Sequence, residues 1–354
     1  MTGLILHLVT QREPAGAQAI AVELARQHRA CGRASEVWYL YRKSSAFDDE
    51  PGLDLTTVVP GPWGTVRMLA QLWWCLRTVR PAAVIAHTHW CLALALPIAA
   101  LAGVPVRIGV HHSLRDLYPR PCRWLERWWG CLGVATRLVA VAEPVAATFG
   151  GAPPSYRRRL TTIPNGVRPL PDPVTNTITT DHRPLIVAIG RLSVEKNHRL
   201  LIACLADLPG VRLVIAGEGP LRPDLRKLAE GLGVADRLQL PGALNRQELA
   251  NLVAEAALVV LPSLSEGLSL ALVEALGSGT PVIASDLPPN RAAADGAARL
   301  VPPGDQAALV AAIRDLLTDP EARARMGAAG RRRATDFDPA RMAADYVALL
   351  DDQA

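Results

Sequence analysis

The stretch PSLSEGLSLALVEALGSGTP, residues 262–281, predicts the fold of this chain because three kinds of local structure meet in it. The run AALVVL before it, residues 256–261, has the β-branched, apolar character of a buried strand. After Glu266 and Gly267, apolar residues recur at helical spacing, at Leu270, Val273 and Leu276. We therefore predict a strand, a tight glycine turn and the start of a helix.

Two carboxylates, Glu266 and Glu274, bracket seven small or apolar residues of this stretch. The N–H groups of Gly267, Leu268 and Ser269 would open the helix, where free N–H groups and the helix dipole favour phosphate. A carboxylate on so apolar a helix as that of Glu274 is costly without a partner, and a ribose diol could be that partner. The alternative is that both acids simply favour the first helical turns. The stretch predicts a site for a phosphorylated, polyhydroxylated ligand.

A length of 354 residues exceeds the size at which one hydrophobic core stops growing, so we expect two domains. Strand-like and helical runs alternate in both halves, which predicts parallel sheets with helices on both faces. The strand-like runs are residues 4–9, 37–41, 83–86, 106–110, 137–141, 185–189, 211–216, 238–240, 257–261 and 281–284. The helical runs are residues 15–30, 65–78, 92–102, 123–132, 197–206, 220–231, 245–255, 269–277 and 306–317. A segment rich in Pro, Thr, Asp and Asn, residues 164–184, predicts a linker between the halves.

Charge and tryptophan are unevenly divided along the chain. Residues 1–172 hold 19 Lys and Arg against 11 Asp and Glu, a net charge of +8, and the remainder carries −3. All eight tryptophans lie in the first part. Basic residues interleaved with Trp suggest an anionic partner, and we predict peripheral contact with an anionic membrane. Nucleic acid is the weaker candidate because no nucleic-acid-binding motif accompanies the charge.

The six cysteines form no Cys-x-x-Cys pair and no metal-ligand spacing with histidine, so we expect neither a zinc site nor a disulfide framework. A reducing cytoplasm is the expected compartment, at the inner face of the cytoplasmic membrane if the basic half binds lipid. The N-terminal MTGLILHLVT lacks a cationic lead and predicts a first strand rather than a signal peptide. We predict no transmembrane span.

Other predicted strand ends carry residues that suit a phosphorylated ligand. Arg191 and Lys196 follow the strand that ends at Gly190, and two cations at the mouth of a strand can clamp a diphosphate. Gly217 and Glu218 follow the next strand, where glycine would let the backbone approach a flat or phosphorylated group. Taken singly, each is also compatible with an ordinary solvated loop or strand-to-helix turn.

In the first half, Gly16 opens a helix after the first strand and could bring backbone close to a ligand phosphate. The chain has no G-x-G-x-x-G motif there, which argues against a nicotinamide site. His87 and His89 follow one predicted strand and His111 and His112 follow the next, so we expect these pairs to point into one crevice. No Asp or Glu stands near them to complete a ligand set, and we predict no metal.

Together these motifs resemble the family 4 glycosyltransferases, which are retaining enzymes of GT-B architecture. The second half is similar through AIGRLSVEKN (188–197), LVIAGEGPLRPDL (213–225), LPSLSEGLSLALVEALGSGTPVIASD (261–286) and LVPPGD (300–305). The first half is similar through PAGAQAIAVELARQHRACG (14–32), HTHW (87–90), VAVAEPVAATF (139–149) and IPNGV (163–167). It departs from the family in having Gly16-Ala17-Gln18 where Gly-Gly-x-Glu is common.

The resemblance implies an α/β fold of two Rossmann-like, doubly wound parallel-sheet domains that face a central cleft. Residues 1–170 would form the acceptor-binding domain and residues 171–336 the nucleotide-sugar-binding domain. Residues 337–354 would form a final helix that crosses back onto the first domain.

The resemblance also implies transfer of a hexosyl unit from a UDP-, GDP- or ADP-sugar to a hydroxyl acceptor. Retention of configuration is expected, with no cofactor and no metal. In the family, the residues that match Glu266 and Glu274 contact the donor sugar and the nucleotide ribose. Arg191 and Lys196 match the pair that holds the diphosphate.

Either His111 or His112 would lie near the transferred sugar, and we favour His112 because Ser113 follows it. We expect a glycan or lipid-linked acceptor, of the kind used in polysaccharide or lipopolysaccharide synthesis, because Arg and Trp pairs adjoin in RPCRWLERWWGCL, residues 120–132. The alternative for that helix is packing in the core with extended arginines. The alternatives for the whole chain are a GT-B sugar-nucleotide epimerase and a catalytically inactive pair of lobes that binds a glycan or a partner.

Overall fold

The structure, a computed structural model, describes residues 3–13, 15–43, 52–174 and 183–352. The chain forms two compact units, Met1–Gly166 together with Asp338–Ala354, and Val167–Phe337. The expectation of two α/β halves is confirmed. Residues 175–182 of the predicted linker lie outside the described residues.

The first unit is built on one parallel sheet. Its strands are β1 Ile5–Arg12, β2 Ser35–Arg42, β3 Leu53–Asp54, β4 Ala83–His87, β5 Val106–His111, β6 Arg137–Ala140 and β7 Leu160–Thr162. They lie in the order β3-β2-β1-β4-β5-β6-β7. The apolar runs of β1, β4 and β5 are buried almost throughout, which is typical of parallel strands covered on both faces.

The connections between these strands are mostly helical. The helices are α1 Gly16–Ala30, α2 Pro62–Val79, α3 Leu96–Leu101, α4 Arg120–Leu132, α5 Glu143–Ala147 and α6 Pro154–Arg157. A π-helical turn, Cys91–Ala95, precedes α3, so the predicted helix 92–102 is in fact two segments. Proline at the start of α2 suits the first helical turn, where a backbone N–H would lack a partner.

The second unit repeats the plan with six parallel strands. They are β8 Leu185–Ile189, β9 Arg212–Ala216, β10 Leu238–Gly242, β11 Leu258–Leu261, β12 Val282–Ser285 and β13 Arg299–Val301. They lie in the order β10-β9-β8-β11-β12-β13. The helices are α7 His198–Ala206, α8 Arg222–Gly231, α9 Arg246–Glu255, α10 Leu270–Ser278, α11 Pro288–Ala294, α12 Gln306–Thr318 and α13 Pro320–Ala334.

Alternate side chains of β8 enter two separate hydrophobic cores. Ile186 and Ala188 pack in a cluster with residues of α7, α8 and α12. Leu185, Val187 and Ile189 pack in a second cluster with residues of α9 and α10. Since successive side chains of a strand point to opposite faces, the second sheet is covered by helices on both sides.

The chain returns to the first unit at its C-terminal helix, α14 Pro339–Asp351. This helix packs against α1, and Arg33 forms an ion pair with Asp351 at 2.7 Å. Gly166 makes the approach possible, because a Cβ there would collide with the backbone of Pro339. The expectation that the last helix crosses back is confirmed.

Candidate functional site

Three neighbouring strands of the second sheet, β9, β8 and β11, end at the same edge because they are parallel. Gly190 and Arg191 follow β8, Gly217 follows β9, and the loop with Glu266 follows β11. The structure therefore brings together the strand-end residues that the sequence predicted for a phosphorylated ligand. This edge is where ligands of open α/β sheets commonly bind.

Lys196 and Glu266 form the centre of this edge. The Lys196 Nζ lies 2.6 Å from Oε1 of Glu266, and Ser263 Oγ donates to the same oxygen at 2.7 Å. Glu266 is only 8% exposed, so these two donors replace hydrogen bonds that the carboxylate would otherwise make to water. Ser263 was missed from the sequence, although it lies three residues before Glu266. Arg191 is exposed, and its side chain makes no hydrogen bond or ion pair with the described residues.

The turn before α10 offers open backbone donors. The N–H groups of Gly267, Leu268 and Ser269 donate to no acceptor in the described part of the chain. Ser269 is the N-cap residue, yet its side chain makes no capping hydrogen bond. Free N–H groups at a helix N-terminus favour an anion, as the sequence analysis predicted for this turn.

Glycines let the loops after β8 and β9 lie directly against each other. Gly190 has φ +150° and Gly217 has φ +153°, and a Cβ on Gly217 would collide with the carbonyl oxygen of Gly190. The backbone N–H of Leu192 donates to the carbonyl of Glu218 at 2.9 Å. The Glu218 side chain pairs with Arg222 at 2.7 Å, so within the described chain its carboxylate already has a cation.

Glu274 lies on α10 with a protein cation beside it. The Arg246 Nη1 lies 3.0 Å from Oε1 of Glu274, and Arg246 Nη2 donates to the carbonyls of Arg168 and Pro169. Burial raises the pKa of Glu274, and the nearby Arg246 opposes that rise. Glu274 therefore does not need a ligand hydroxyl as its partner, because Arg246 already pairs with it. Arg246 follows the N-cap residue Asn245 and was missed from the sequence.

His111 belongs to the core of the first unit. It is fully buried, and its ring nitrogens lie 3.0 Å from the Tyr118 hydroxyl and 2.9 Å from the Tyr156 hydroxyl. The Tyr156 hydroxyl also donates to Glu126 at 2.6 Å. Burial lowers the pKa of His111 to about 3, so the ring is neutral at pH 7. A ring with both nitrogens engaged and no exposure has no atom to offer a ligand, which corrects the prediction for His111.

His112 differs from its neighbour because it is partly exposed. Its Nε2 lies 3.0 Å from Nδ1 of His87, and its Nδ1 has no partner among the described residues. Gly16 is the exposed first residue of α1, and Pro14 of the same motif lies outside the described residues. Within the described ranges, no three His, Cys, Asp or Glu side chains are grouped so that they could hold a metal ion.

Comparisons with known proteins cover both units. Residues 14–169 match the family described as Glycosyltransferase Family 4, and residues 176–333 match the family described as Glycosyl transferases group 1. The alpha-D-kanosaminyltransferase of Streptomyces kanamyceticus is 35% identical over 152 residues, which are 41% of this chain and 39% of that protein. The MMP alpha-(1->4)-mannosyltransferase of Mycolicibacterium hassiacum is 31% identical over 291 residues, 71% of this chain and 66% of that protein. This chain thus aligns with well under half of the first relative and about two thirds of the second.

Similarity of fold extends over nearly the whole chain. The crystal structure of Anabaena HepE in complex with UDP and glucose has a TM-score of 0.83 and 19% identity, and covers 99% of this chain and 100% of its own. The two parallel-sheet units thus have the GT-B fold. Because the two family matches together include both units, the chain belongs to the group 1 glycosyltransferases of family 4.

Proposed function

We propose that this chain transfers a hexosyl unit from a nucleoside-diphosphate sugar to a hydroxyl acceptor, with retention of configuration and without a metal ion. The observation that supports it most is the set of open N–H groups before α10, beside Lys196, Glu266 and Arg191. N–H, ammonium and guanidinium groups all favour negative charge, so a diphosphate is the ligand class that suits this arrangement.

The chemical problem in such a transfer is the negative charge that builds on the departing diphosphate. Lys196, Arg191 and the N–H groups of residues 267–269 stabilise that charge. Glu266 orients the sugar through its hydroxyl groups, and Glu274 binds the ribose. No side chain acts as a nucleophile. The acceptor oxygen attacks the anomeric carbon from the face that the diphosphate leaves, and a phosphate oxygen takes the acceptor proton.

Backbone contacts and His112 complete the proposed ligand set. Gly16, Gly190 and Gly217 bring backbone close to phosphate groups, because glycine has no side chain to separate its backbone from a ligand. Glu218 directly follows Gly217 in the loop after β9, and we assign it to the same nucleotide-sugar site. His112 contacts the sugar through its open Nδ1.

A panel of nucleotide sugars tests the donor. UDP-glucose, UDP-N-acetylglucosamine, GDP-mannose and ADP-glucose are added separately, and the true donor is expected to raise the unfolding temperature because it binds only the native state. UDP-glucose is the first choice because the HepE crystal structures hold UDP and glucose.

Transfer itself is then measured with the same donors carrying a radiolabelled sugar, in the presence of a membrane extract. A transferase moves label into the extract. An epimerase changes the sugar nucleotide without labelling an acceptor, and an inactive pair of lobes does neither. Absence of both a thermal shift and label transfer with every donor would contradict the proposal.

Replacing Glu274 with glutamine is expected to weaken donor binding about 10-fold while leaving stability unchanged or slightly increased. A charge-assisted hydrogen bond to the ribose is lost, at a cost of roughly 1.5 kcal/mol. Burial opposes ionisation of Glu274, so a neutral amide relieves a cost to the folded state. Donor affinity by calorimetry and the free energy of unfolding by urea titration check the two halves of this prediction.

The matched variant is Arg246→Ala. It leaves the Glu274 carboxylate in a largely buried position without its cation, so we expect a loss of stability that Glu274→Gln does not show. Unchanged donor affinity in Glu274→Gln would refute the ribose assignment, whatever the stability.

Helix α4 suggests where an acceptor attached to lipid would approach. Trp124 is 61% exposed and Trp128 is 46% exposed, with their rings 5.8 Å apart. Its buried face consists of Cys122, Glu126 and Gly130. The helix thus packs on the first unit through that face, while Trp124 and Trp128 lie outside the core. No helix in the described part of the chain is both long and apolar enough to span a bilayer.

We propose that α4 contacts an anionic membrane, and a double variant tests this. Arg123→Glu with Arg127→Glu is expected to reduce sedimentation with vesicles containing anionic lipid by 10-fold or more at low salt, since each basic residue near such a surface contributes about 1 kcal/mol. The control is Arg226→Glu with Lys227→Glu, which makes the same charge change at exposed positions of α8. Equal sedimentation of the two double variants would exclude α4 as the contact.

A further inference from the structure

Four histidines of the first unit form a continuous chain of ring contacts. His28 Nδ1 on α1 lies 3.3 Å from Nε2 of His7 on β1. His7 Nδ1 lies 3.0 Å from Nε2 of His87, at the end of β4. His87 Nδ1 in turn lies 3.0 Å from Nε2 of His112, directly after β5. Strands β1, β4 and β5 are neighbours in the sheet, and this adjacency places the rings in line.

The chain runs from the interior to the surface. His7, His28 and His87 are fully buried, and only His112 is partly exposed. Burial lowers the pKa of His28 and of His112 to about 4, and holds those of His7 and His87 well below the usual range. At neutral pH all four rings are therefore uncharged.

A neutral imidazole has one N–H donor and one acceptor nitrogen. Every contact in the chain needs one of each, so the tautomer of one ring fixes the tautomer of the next. Only two arrangements keep all three hydrogen bonds. Either every ring carries its proton on Nδ1, or every ring carries it on Nε2.

The inner end of the chain distinguishes the two arrangements. His28 Nε2 is buried and has no hydrogen-bond partner among the described residues. With protons on Nε2, this atom would be a buried N–H without an acceptor, which is rare and costly in native proteins. With protons on Nδ1, His28 Nε2 is unprotonated and carries only a lone pair. Each Nδ1–H then donates to the next ring, except that of His112, which stays open.

We infer that the histidine chain holds His112 in the Nδ1–H tautomer, so that its open Nδ1 presents a hydrogen-bond donor to the ligand. His7, His28 and His87 are then positioning residues, which act through His112 without touching a substrate. The direction of the hydrogen bond follows from the buried end: His112 donates to a ligand oxygen and does not accept from a ligand hydroxyl. The consequence for sugar transfer rests on the proposed function, whereas the tautomer assignment does not.

Nitrogen NMR of the full-length protein labelled with ¹⁵N-histidine tests the assignment directly, since neutral donor and acceptor ring nitrogens have separate chemical shifts. The expected result in the unmodified protein at pH 7.5 is protonated Nδ1 and unprotonated Nε2 in all four rings. Protonated Nε2 in all four rings, or a mixture of forms along the chain, would overturn the inference. This measurement requires neither donor nor activity.

Two variants at His87 show whether its ring positions His112 or only fills space in the core. His87→Leu removes the donor to His112, and we expect His112 to lose its fixed tautomer and kcat/KM for transfer to fall about 10-fold, the equivalent of one oriented hydrogen bond. His87→Asn keeps an amide N–H close to the position of Nδ1, so the Nδ1–H form of His112 and most of kcat/KM should be retained. If the two variants affect His112 equally, His87 is only a packing residue.

Failure of the proposed function is distinguishable from failure of this inference. A protein with the expected tautomers that transfers no sugar contradicts the function alone. A protein that transfers sugar with His112 protonated on Nε2 contradicts the inference alone.

Discussion

Replacing Lys196 with alanine is expected to lower kcat for sugar transfer by about 10²–10³-fold, the usual cost of removing one preorganised donor that stabilises a developing negative charge. Lys196 is the cation closest to Glu266, with its Nζ 2.6 Å from Oε1. When a diphosphate binds, the same ammonium can turn toward the phosphate oxygens because its stem is flexible. Initial rates at saturating donor measure the loss.

Stability should fall in the same variant. The Glu266 carboxylate, which is 8% exposed in the native protein, would keep only Ser263 as a donor, and an incompletely paired buried charge costs about 1–3 kcal/mol. Lys196→Arg should restore the pairing and part of the rate. Lys227→Ala is the matched control, since Lys227 is exposed on α8 and should affect neither quantity. If Lys196→Ala transfers sugar at the wild-type rate, Lys196 does not stabilise the departing diphosphate.

Most of the strands that could be predicted from the sequence are buried on both faces, although β10, an edge strand with exposed residues, was predicted as well. β8 and β11 read LIVAI and LVVL, and such continuous apolar runs arise because helices cover both sides of a parallel sheet. The strands that were missed, β3, β7 and β13, lie at sheet edges and are only two or three residues long. A segment so short has no recognisable period, so only pairing with its neighbour defines it.

Helix α13 shows a second limit of sequence patterns. Its sequence PEARARMGAAGRRRA has no apolar stripe, because its buried positions are Gly327 and Gly330. A Cβ at Gly327 would collide with the carbonyl of Gly279, and one at Gly330 would crowd the backbone of Leu276. The helix therefore packs against α10 by close backbone approach, which hydrophobic periodicity does not record.

The site was partly predictable for a related reason. Residues at the ends of parallel strands share one edge, so Arg191, Lys196 and Glu266 could be placed together from their order alone. The pair formed by Arg246 and Glu274 depends on the facing side chains of α9 and α10, which are 28 residues apart in sequence. No local pattern encodes such a contact.

Lowering the pH from 7 to 5 is expected to destabilise the first unit by several kcal/mol. Five of its histidines, four of them fully buried and His112 partly exposed, have lowered pKa values: to about 4 for His28 and His112, to about 3 for His111, and well below the usual range for His7 and His87. The unfolded chain takes up these protons near pH 6.5, whereas the folded chain does not. The stability that the neutral histidines contribute is therefore fully present above pH 6.5. It is lost as the pH falls toward 4, and for His111 toward 3.

The size of the effect follows from the number of groups. A histidine whose pKa in the folded protein lies below 5, such as His28, His111 or His112, contributes about 2 kcal/mol of loss at pH 5, at 1.4 kcal/mol per pH unit below 6.5. Glu126 acts in the opposite direction, because burial raises its pKa and protonation relieves a cost to the folded state. Arg29, Arg33 and Arg115 oppose protonation of the neighbouring rings. Because the net stability of a protein is only about 5–15 kcal/mol, even a few of these losses remove a large part of it.

Tryptophan fluorescence measures this loss in the first unit alone, since all eight tryptophans lie before residue 130. Urea midpoints followed by fluorescence should fall steeply from pH 7 to pH 5. His198→Phe in the second unit is the control: burial lowers the pKa of His198 to about 4, but its removal should leave the fluorescence midpoints unchanged at each pH. A fluorescence midpoint that is the same at pH 7 and pH 5 would mean that the histidine chain is not held neutral. The uncharged, tautomer-fixed state inferred for His112 would then have no basis, because a charged ring donates from both nitrogens.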